Sequence, residues 1–353
     1  MTAGLDWLQR PPPALPESAA ERAVRELWGL EVRAAPLYAE RDLNFRLQTA
    51  AGHHWLLKIS HPDIADETLA LQHRVLRHLA ERHPDLPVPR LLPDRSGRTI
   101  ARWRDDQGHP QRLQIQSWLT GEHRKLARLD APAREGLGEL LARLDGALET
   151  LPAAAAPRDL AWDLQNFAAL APLRPGLEEG PLARAVDERL QRYGAAWGPA
   201  LRALPRQLIH GDINSGNVLF EGEEARVSGL IDFGDMVAAP RVCELAVACA
   251  YHLSAKGEDP LAELAPLVAG YHRRRPLRGK ELRLLPALVE CRLVTTLLIQ
   301  GWRARHEPDP DGDHAATADE AAARLRRMAA TGRDTLAQGL RAACAATAPI
   351  QNP

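Results

Sequence analysis

Apolar positions recur along the chain with two different spacings. From Arg134 onward the spacing is helical. Leu137, Leu140, Leu141, Leu144 and Leu148 fall at i, i+3, i+4, i+7 and i+11, one stripe along a helix. Before residue 120, short apolar runs bounded by turn residues predominate, and they predict strands at 32–37, 44–49, 54–59, 88–92, 99–104 and 111–118. The runs 44–49 and 54–59 flank Ala50–His53 and read as a hairpin. One helix is expected at 17–30, with Ala23, Leu27 and Leu30 on one face. A second opens at Pro62-Asp63, with Ile64, Leu71, Val75 and Leu79 facing the core. Further helices are expected at 181–197, 243–252, 260–274 and 281–305. Pro181 and Pro260 suit a first turn, where a missing N–H costs nothing. One strand-like interruption remains, 217–220, a turn at Glu221-Gly222, then 225–231.

The expected class is α+β: a small antiparallel-sheet N-terminal lobe with one main helix, and a larger, mostly helical C-terminal lobe. The boundaries read as a Pro-rich arm at 1–18, the first lobe at 19–118, the helical lobe at 119–345 and a tail at 346–353. Ala154-Ala155-Ala156-Pro157 reads as a linker and 307–313 as a loop.

Composition narrows the class of partner. With 353 residues, 45% hydrophobic and 26% charged, the chain is that of a soluble globular protein. Its net charge of −1 gives no electrostatic reason to expect nucleic acid or an anionic membrane surface. The run Arg273-Arg274-Arg275 reads as a solvated helix end. Cys243, Cys249, Cys291 and Cys344 form neither a Cys-x-x-Cys pair nor a zinc spacing, which fits reduced thiols and a cytoplasmic location. The N-terminus lacks the pattern of a signal peptide. The longest apolar stretch, 284–300, carries Glu290 and Arg292 and is too charged for a membrane span. Only four of the 45 basic residues are lysine, so a lysine inside a strand needs a reason.

Candidate chemistry lies between two apolar strands. Leu208-Ile209 leads into His210-Gly211-Asp212-Ile213-Asn214-Ser215-Gly216-Asn217, and Val218-Leu219-Phe220 leads out. The returning strand ends at Asp232-Phe233-Gly234-Asp235, so the hairpin brings a second Asp back towards the turn. Phosphoryl transfer needs a carboxylate to orient the attacking hydroxyl and accept its proton, and hard oxygen ligands for Mg²⁺. Asp212 suits the first role; Asn217 and Asp232 suit the second. The five-residue spacing from Asp212 to Asn217 and the literal Asp-Phe-Gly are those of the protein-kinase pattern. Each residue alone would read as an ordinary turn former, and their combination does not. A hydrolytic metal site built on His210, Asp212 and Asp232 would need further ligands that the spacing does not supply. Lys58, in the third strand behind Trp55-Leu56-Leu57, is the cation expected on nucleotide phosphates.

These residues resemble the aminoglycoside phosphotransferase and choline kinase group, small-molecule kinases with a protein-kinase-like two-lobed fold. The likeness is carried by His210-Gly211-Asp212-x4-Asn217 and Ile231-Asp232, with Gly211 where protein kinases have arginine. Within the group the chain is most similar to the hydroxylysine kinase branch, which includes domains fused to aminotransferases. The matching stretches are Glu40-Arg41-Asp42-Leu43-Asn44-Phe45, Trp162-Asp163-Leu164, Ile231–Met236, Gly270-Tyr271-His272 and Pro276-Leu277. The resemblance implies that Glu40–Phe45 lies over the nucleotide through backbone amides, with Asn44 and Phe45 in contact. It implies that Gln116, Trp118 and Leu119 belong to an interlobe linker binding the purine. It also implies a carboxylate partner for Lys58 on the following helix, for which Glu67 is the candidate and Gln72 the alternative.

The implied activity is transfer of the γ-phosphoryl group of ATP or GTP, with Mg²⁺ or Mn²⁺, to the hydroxyl of an amino alcohol or hydroxy amino acid. Hydroxylysine is the first acceptor to consider; aminoglycoside-, choline- and homoserine-like acceptors are alternatives. A zwitterionic acceptor needs an anion and a cation, and Asp235 and Arg292 are the candidates. A catalytically silent nucleotide-binding module is the contrasting reading, and the retention of Asp212, Asn217 and Asp232 argues against it. The oligomeric state is not legible.

Overall fold

The computed structural model describes residues 13–152, 160–257 and 259–347. Most of the expected arm (1–12), the linker Ala154-Ala155-Ala156-Pro157 and the tail beyond 347 lie outside the described residues. Two compact units are formed, one within Gln9–Thr120 plus Gly229–Ile231, the other within Gly121–Ser228 plus Asp232–Pro353.

The first unit begins with α1 (Glu17–Trp28), which starts behind Pro16 and stops at Gly29. Gly29 has φ 71°, and its N–H turns back to the Arg25 carbonyl at 3.0 Å. Strands β1 (Val32–Leu37), β2 (Leu43–Thr49) and β3 (His54–Ile59) follow, then α2 (Asp66–Arg82), β4 (Leu91–Leu92), β5 (Ala101–Arg104) and β6 (Pro110–Ser117). The sheet order is β1-β2-β3-β6-β4 with β5 also on β6, and every pairing is antiparallel.

Alternation along the strands sorts the side chains. Phe45, Leu47, Leu57, Ile59, Leu113 and Ile115 join Ala20, Ala23, Val24 and Trp28 of α1 in one core. Each large apolar side chain fully buried there contributes roughly 1.5–3 kcal/mol. The intervening positions turn the other way. The register sets Asn44 opposite Lys58 and Lys58 opposite Gln114, a polar row across β2, β3 and β6.

Two expectations shift here. Helix α2 begins at Asp66 rather than Pro62, after a turn at 62–64. The expected strand 88–92 shrinks to Leu91–Leu92, because Pro87 and Pro89 cannot donate to a ladder.

The second unit contains β7 (Glu122–His123), α3 (Ala131–Glu149), α4 (Pro181–Arg192), α5 (Gly198–Arg202), β8 (Gln207–Ile209), β9 (Val218–Glu221) and all but the last two residues of β10 (Arg226–Leu230). It continues with β11 (Val237–Ala239), α6 (Val242–His252), α7 (Pro260–Arg274), α8 (Gly279–His306), α9 (Asp313–Thr331) and α10 (Arg333–Ala345). A 3-10 run spans Leu164–Gly176. The expected helix 181–197 passes into a π turn at Tyr193–Trp197, where the Tyr193 hydroxyl donates to the carbonyls of Leu164 and Gln165 at 2.8 and 2.9 Å.

Helices α3 and α7 meet through glycine. A Cβ on Gly138 would strike the backbone of Leu267, and one on Gly270 the backbone of Glu135. The arginines ending α7 are bound at this contact rather than simply solvated: Arg273 pairs with Glu135 and Glu139, and Arg275 with Glu149. Helix α8 is buried nearly all round from Leu282 to Ile299. No described helix is long and apolar enough to cross a membrane.

Candidate active site

The turn between β8 and β9 is pinned from two sides. Strand β8 pairs antiparallel with β11, Ile209 opposite Val237, so the chain leaving β8 and the chain entering β11 run side by side. This pairing was absent from the sequence expectation, which relied on the hairpin β9–β10 alone. Glu244 of α6, fully buried, supplies the second restraint. Its Oε2 accepts from the Gly211 backbone N–H at 3.1 Å, and the His210 backbone N–H also bonds the carboxyl. Burial pushes the Glu244 carboxyl well above its ordinary value, and the nearby Asp145 carboxyl adds to the shift. His210 is fully buried with its ring edge-on to Phe233, centroids 4.8 Å apart.

Gly211 has a chemical reason to be glycine. Its φ is 79°, and a Cβ would sit 3.0 Å from the Asp235 carbonyl oxygen. Asp232 also lies at positive φ, 60°, with its Oδ1 accepting from the Gly234 N–H at 3.1 Å. A non-glycine residue held there costs about 1–3 kcal/mol, so the surroundings over-determine the geometry.

Asp212 is the centre of the cluster. Its Oδ2 accepts from the side-chain amides of Asn214 at 2.9 Å and Asn217 at 2.8 Å. Its Oδ1 accepts from Arg292 Nη2 at 2.9 Å. Arg292 is 1% exposed on α8, with Nη1 donating to the Trp162 carbonyl at 3.0 Å and Nη2 also reaching the Tyr251 hydroxyl at 3.3 Å. Its guanidinium lies 4.7 Å from the Trp162 ring centroid and 5.6 Å from that of Tyr251. Burial opposes the Arg292 charge, but Tyr251 and Asp212 hold it above the ordinary arginine value. The Asp212 carboxyl is pushed up to about 6, first by desolvation; Arg292 opposes this, and the charges of Asp235 and Asp232 add to it.

The residues fit a hard divalent cation. Both amide hydrogens of Asn217 go to Asp212, one to the backbone oxygen at 2.8 Å and one to Oδ2, so Asn217 Oδ1 is the atom left to ligate a metal. The charges of Asp235 and Asp232 both push the Asp212 carboxyl up, an effect that a nearby cation would offset. Among the described residues no group of three or more His, Cys, Asp or Glu could hold a metal. Mg²⁺ is commonly held by one or two protein oxygens, with phosphate and water completing its shell.

In the first unit, Lys58 is 6% exposed, and its Nζ lies 3.5 Å from Asp42 Oδ2. Asp42 Oδ1 in turn accepts from the His61 N–H at 3.1 Å. Three expectations change here. Glu67 is exposed in the first turn of α2 rather than turned inward, while Gln72 is buried on that helix. The carboxylate beside Lys58 is Asp42, from the loop before β2, which the sequence reading passed over. The Phe45 side chain is 1% exposed in the core with α1, so only its backbone is left to meet a ligand. Gln116 is buried and donates to Gln114 at 3.2 Å. Trp118 is 36% exposed, 6.2 Å from the His54 ring, and Leu119 is half-buried beside it.

The second unit thus gathers Asp212, Asn217, Asp232, Asp235 and Arg292, while Lys58, Asn44 and Asp42 form a separate group in the first. Asn214, Glu244, Tyr251 and the Trp162 carbonyl also belong to the Asp212 cluster and were not singled out from the sequence. Asn214 stood inside the motif and Trp162 inside a stretch that carried the resemblance; Glu244 and Tyr251 carried no local signal.

Comparison with known proteins agrees with this geometry. A family model described as phosphotransferase enzyme family matches residues 39–282. The hydroxylysine kinase of Xenopus laevis is 24% identical over 323 residues, covering 84% of this chain and 85% of that protein. The homoserine kinase of Gluconobacter oxydans is 31% identical over 294 residues, covering 81% of this chain and 85% of that protein. Among solved structures, an amicoumacin kinase in complex with AMP-PNP and Ca²⁺ has a TM-score of 0.67 at 13% identity, over 90% of this chain and 95% of that one. A microcompartment-associated aminopropanol kinase has a TM-score of 0.65 at 18% identity, over 89% and 97%. Both share the fold. The matched span contains Lys58, Asp212, Asn217 and Asp232, and on that match the chain belongs to the phosphotransferase enzyme family.

Proposed function

We propose that this enzyme transfers the γ-phosphoryl group of ATP or GTP to the hydroxyl of a hydroxy amino acid, with hydroxylysine as first acceptor and homoserine as second. The observation that carries the chemistry is the Asp212 carboxylate. Two amides hold Oδ2 and one guanidinium holds Oδ1, while the side chain keeps 22% of its surface exposed. A carboxylate held this way can orient a hydroxyl and take its proton as the O–P bond forms. Bound Mg²⁺ would neutralise charge developing on the phosphates, with Asn217 and Asp232 as its protein ligands. Lys58 supplies a cation for the nucleotide phosphates in place of its present contact with Asp42.

The acceptor class rests on what the relatives are named for. Hydroxylysine kinases match 84–91% of the chain at 24% identity, and homoserine kinases match at 30–32%. Both names denote amino acids with a free hydroxyl, and the higher identity of the second group favours homoserine as the alternative. Four buried, unpaired thiols support a reducing, cytoplasmic compartment. Product formation from purified enzyme, Mg²⁺ and either ATP or GTP tests the reading, with hydroxylysine, homoserine, an amino alcohol and an aminoglycoside as acceptors. Turnover with a hydroxy amino acid is expected. Turnover confined to the aminoglycoside would refute the acceptor assignment.

A further inference from the structure

Arg292 attracts attention in the sequence as a cation inside an apolar helix, suited to an acceptor carboxylate. The geometry points to another role: we infer that Arg292 is a positioning residue for Asp212, and that it is not the clamp for the acceptor's carboxylate. The inference rests on the reading of Asp212 as the proton-accepting carboxylate.

Three observations carry it. First, both terminal nitrogens of the guanidinium are already engaged, and only the buried Nε has no hydrogen-bond partner. Nη2 donates to Asp212 Oδ1 at 2.9 Å and to the Tyr251 hydroxyl at 3.3 Å, and Nη1 donates to the Trp162 carbonyl at 3.0 Å. Second, the side chain is 1% exposed, with the Trp162 and Tyr251 rings centred 4.7 and 5.6 Å from its guanidinium, so an acceptor could reach it only by displacing packed neighbours. Third, the donors on Asp212 are unequal. Oδ2 receives two hydrogen bonds, from Asn214 and Asn217, and Oδ1 receives one, from Arg292. A carboxylate oxygen has two lone-pair sites, so Oδ1 keeps one for the acceptor hydroxyl. Arg292 therefore fixes the rotation of the carboxylate and the direction from which the hydroxyl approaches. During transfer the hydroxyl oxygen forms the bond to phosphorus, the bond from phosphorus to the nucleotide's bridging oxygen breaks, and the hydroxyl proton passes to Asp212 Oδ1. Arg292 gives up no proton.

The test uses the full-length enzyme with Mg²⁺ and ATP, following ADP release with hydroxylysine, with homoserine and with water alone. Arg292→Gln should lower kcat on the order of 100-fold in every reaction the wild type performs, as expected when a reacting group loses its alignment. KM for the amino acid and the affinity for a non-hydrolysable ATP analogue should stay the same. Arg292→Lys keeps the charge, but one ammonium cannot hold both the Trp162 carbonyl and Asp212, so its kcat should fall between the two. If Arg292→Gln does not fold, the Arg292→Lys value decides alone, and kcat equal to wild type overturns the proposal. A raised KM for the amino acid with unchanged kcat and unchanged reaction with water also overturns it and restores the carboxylate clamp. Asp212→Asn is the control. Retained activity there means that the base reading has failed, whatever Arg292 does.

Discussion

Gly211 shows how much a single missing side chain can decide. Its backbone sits at φ 79° and its Cα passes close to the Asp235 carbonyl, while its N–H is held by Glu244. Alanine would have to carry a Cβ into that carbonyl in a conformation that costs an L-residue about 1–2 kcal/mol. Gly211→Ala should therefore destabilise the protein by at least that amount in denaturant unfolding, and lower kcat, because Asp212 is the next residue. An alanine variant with wild-type stability and rate would show that the turn is not as constrained as described. At this scale much of the site was legible. Asp212, Asn217 and Asp232 stand in one short stretch with informative spacing, and Lys58 stands out because lysine is rare in this chain. Arg292 was legible as an anomaly but not in its contact with Asp212, which is 80 residues away. Asp42 was missed because nothing local marks which carboxylate a strand lysine will meet. Glu67, the candidate partner of Lys58, is exposed in the first turn of α2, which begins only one residue earlier.

Elements explain why the turn holds its shape. Helix α6 is almost wholly buried, yet it carries Glu244 in its first turn, aimed at the backbone between β8 and β9. Burial raises its pKa well above the usual value, and the backbone N–H groups of Gly211 and His210 oppose that shift. Glu244→Gln preserves an oxygen acceptor without a charge and should change stability little. Glu244→Ala strands those buried donors and should cost about 1–3 kcal/mol. Comparing the two variants by denaturant unfolding checks this; equal losses would contradict it. Periodicity revealed seven helices to within a few residues but proposed neither α9 nor α10, which follow the last helix it read. It missed β7 and β11, which have two and three residues and are defined by their partners rather than by their own pattern. It also overran at 88–92, where Pro89 interrupts the run and Pro87 precedes it.

Across the whole molecule, buried titratable groups pull stability in opposite directions with pH. His252 is fully buried and its pKa falls to about 4 through desolvation, so it stays neutral while the unfolded chain takes up a proton near 6.5. Its contribution is present above pH 6.5 and is lost as pH falls towards 4, by about 1.4 kcal/mol per pH unit. Asp145 is fully buried, bonded to the Tyr271 hydroxyl at 2.5 Å and pushed up to about 7 by desolvation. Its contribution is present below pH 3.8, the unfolded value, and is lost as pH rises towards 7. The stability gap between wild type and His252→Gln should therefore narrow between pH 7 and pH 5. The gap to Asp145→Asn should instead narrow between pH 5 and pH 7. Unfolding curves at both pH values decide it; gaps independent of pH would mean that neither group is held neutral.

The central claim is that Asp212 is the proton-accepting carboxylate of a small-molecule kinase. The most direct measurement is turnover by Asp212→Asn with the acceptor that the wild type phosphorylates, beside the affinity of both proteins for a non-hydrolysable ATP analogue and Mg²⁺. The account predicts that turnover is abolished while nucleotide affinity persists, because asparagine cannot accept the proton whereas Asn217, Asp232 and Lys58 remain. Near-wild-type turnover by Asp212→Asn would contradict it.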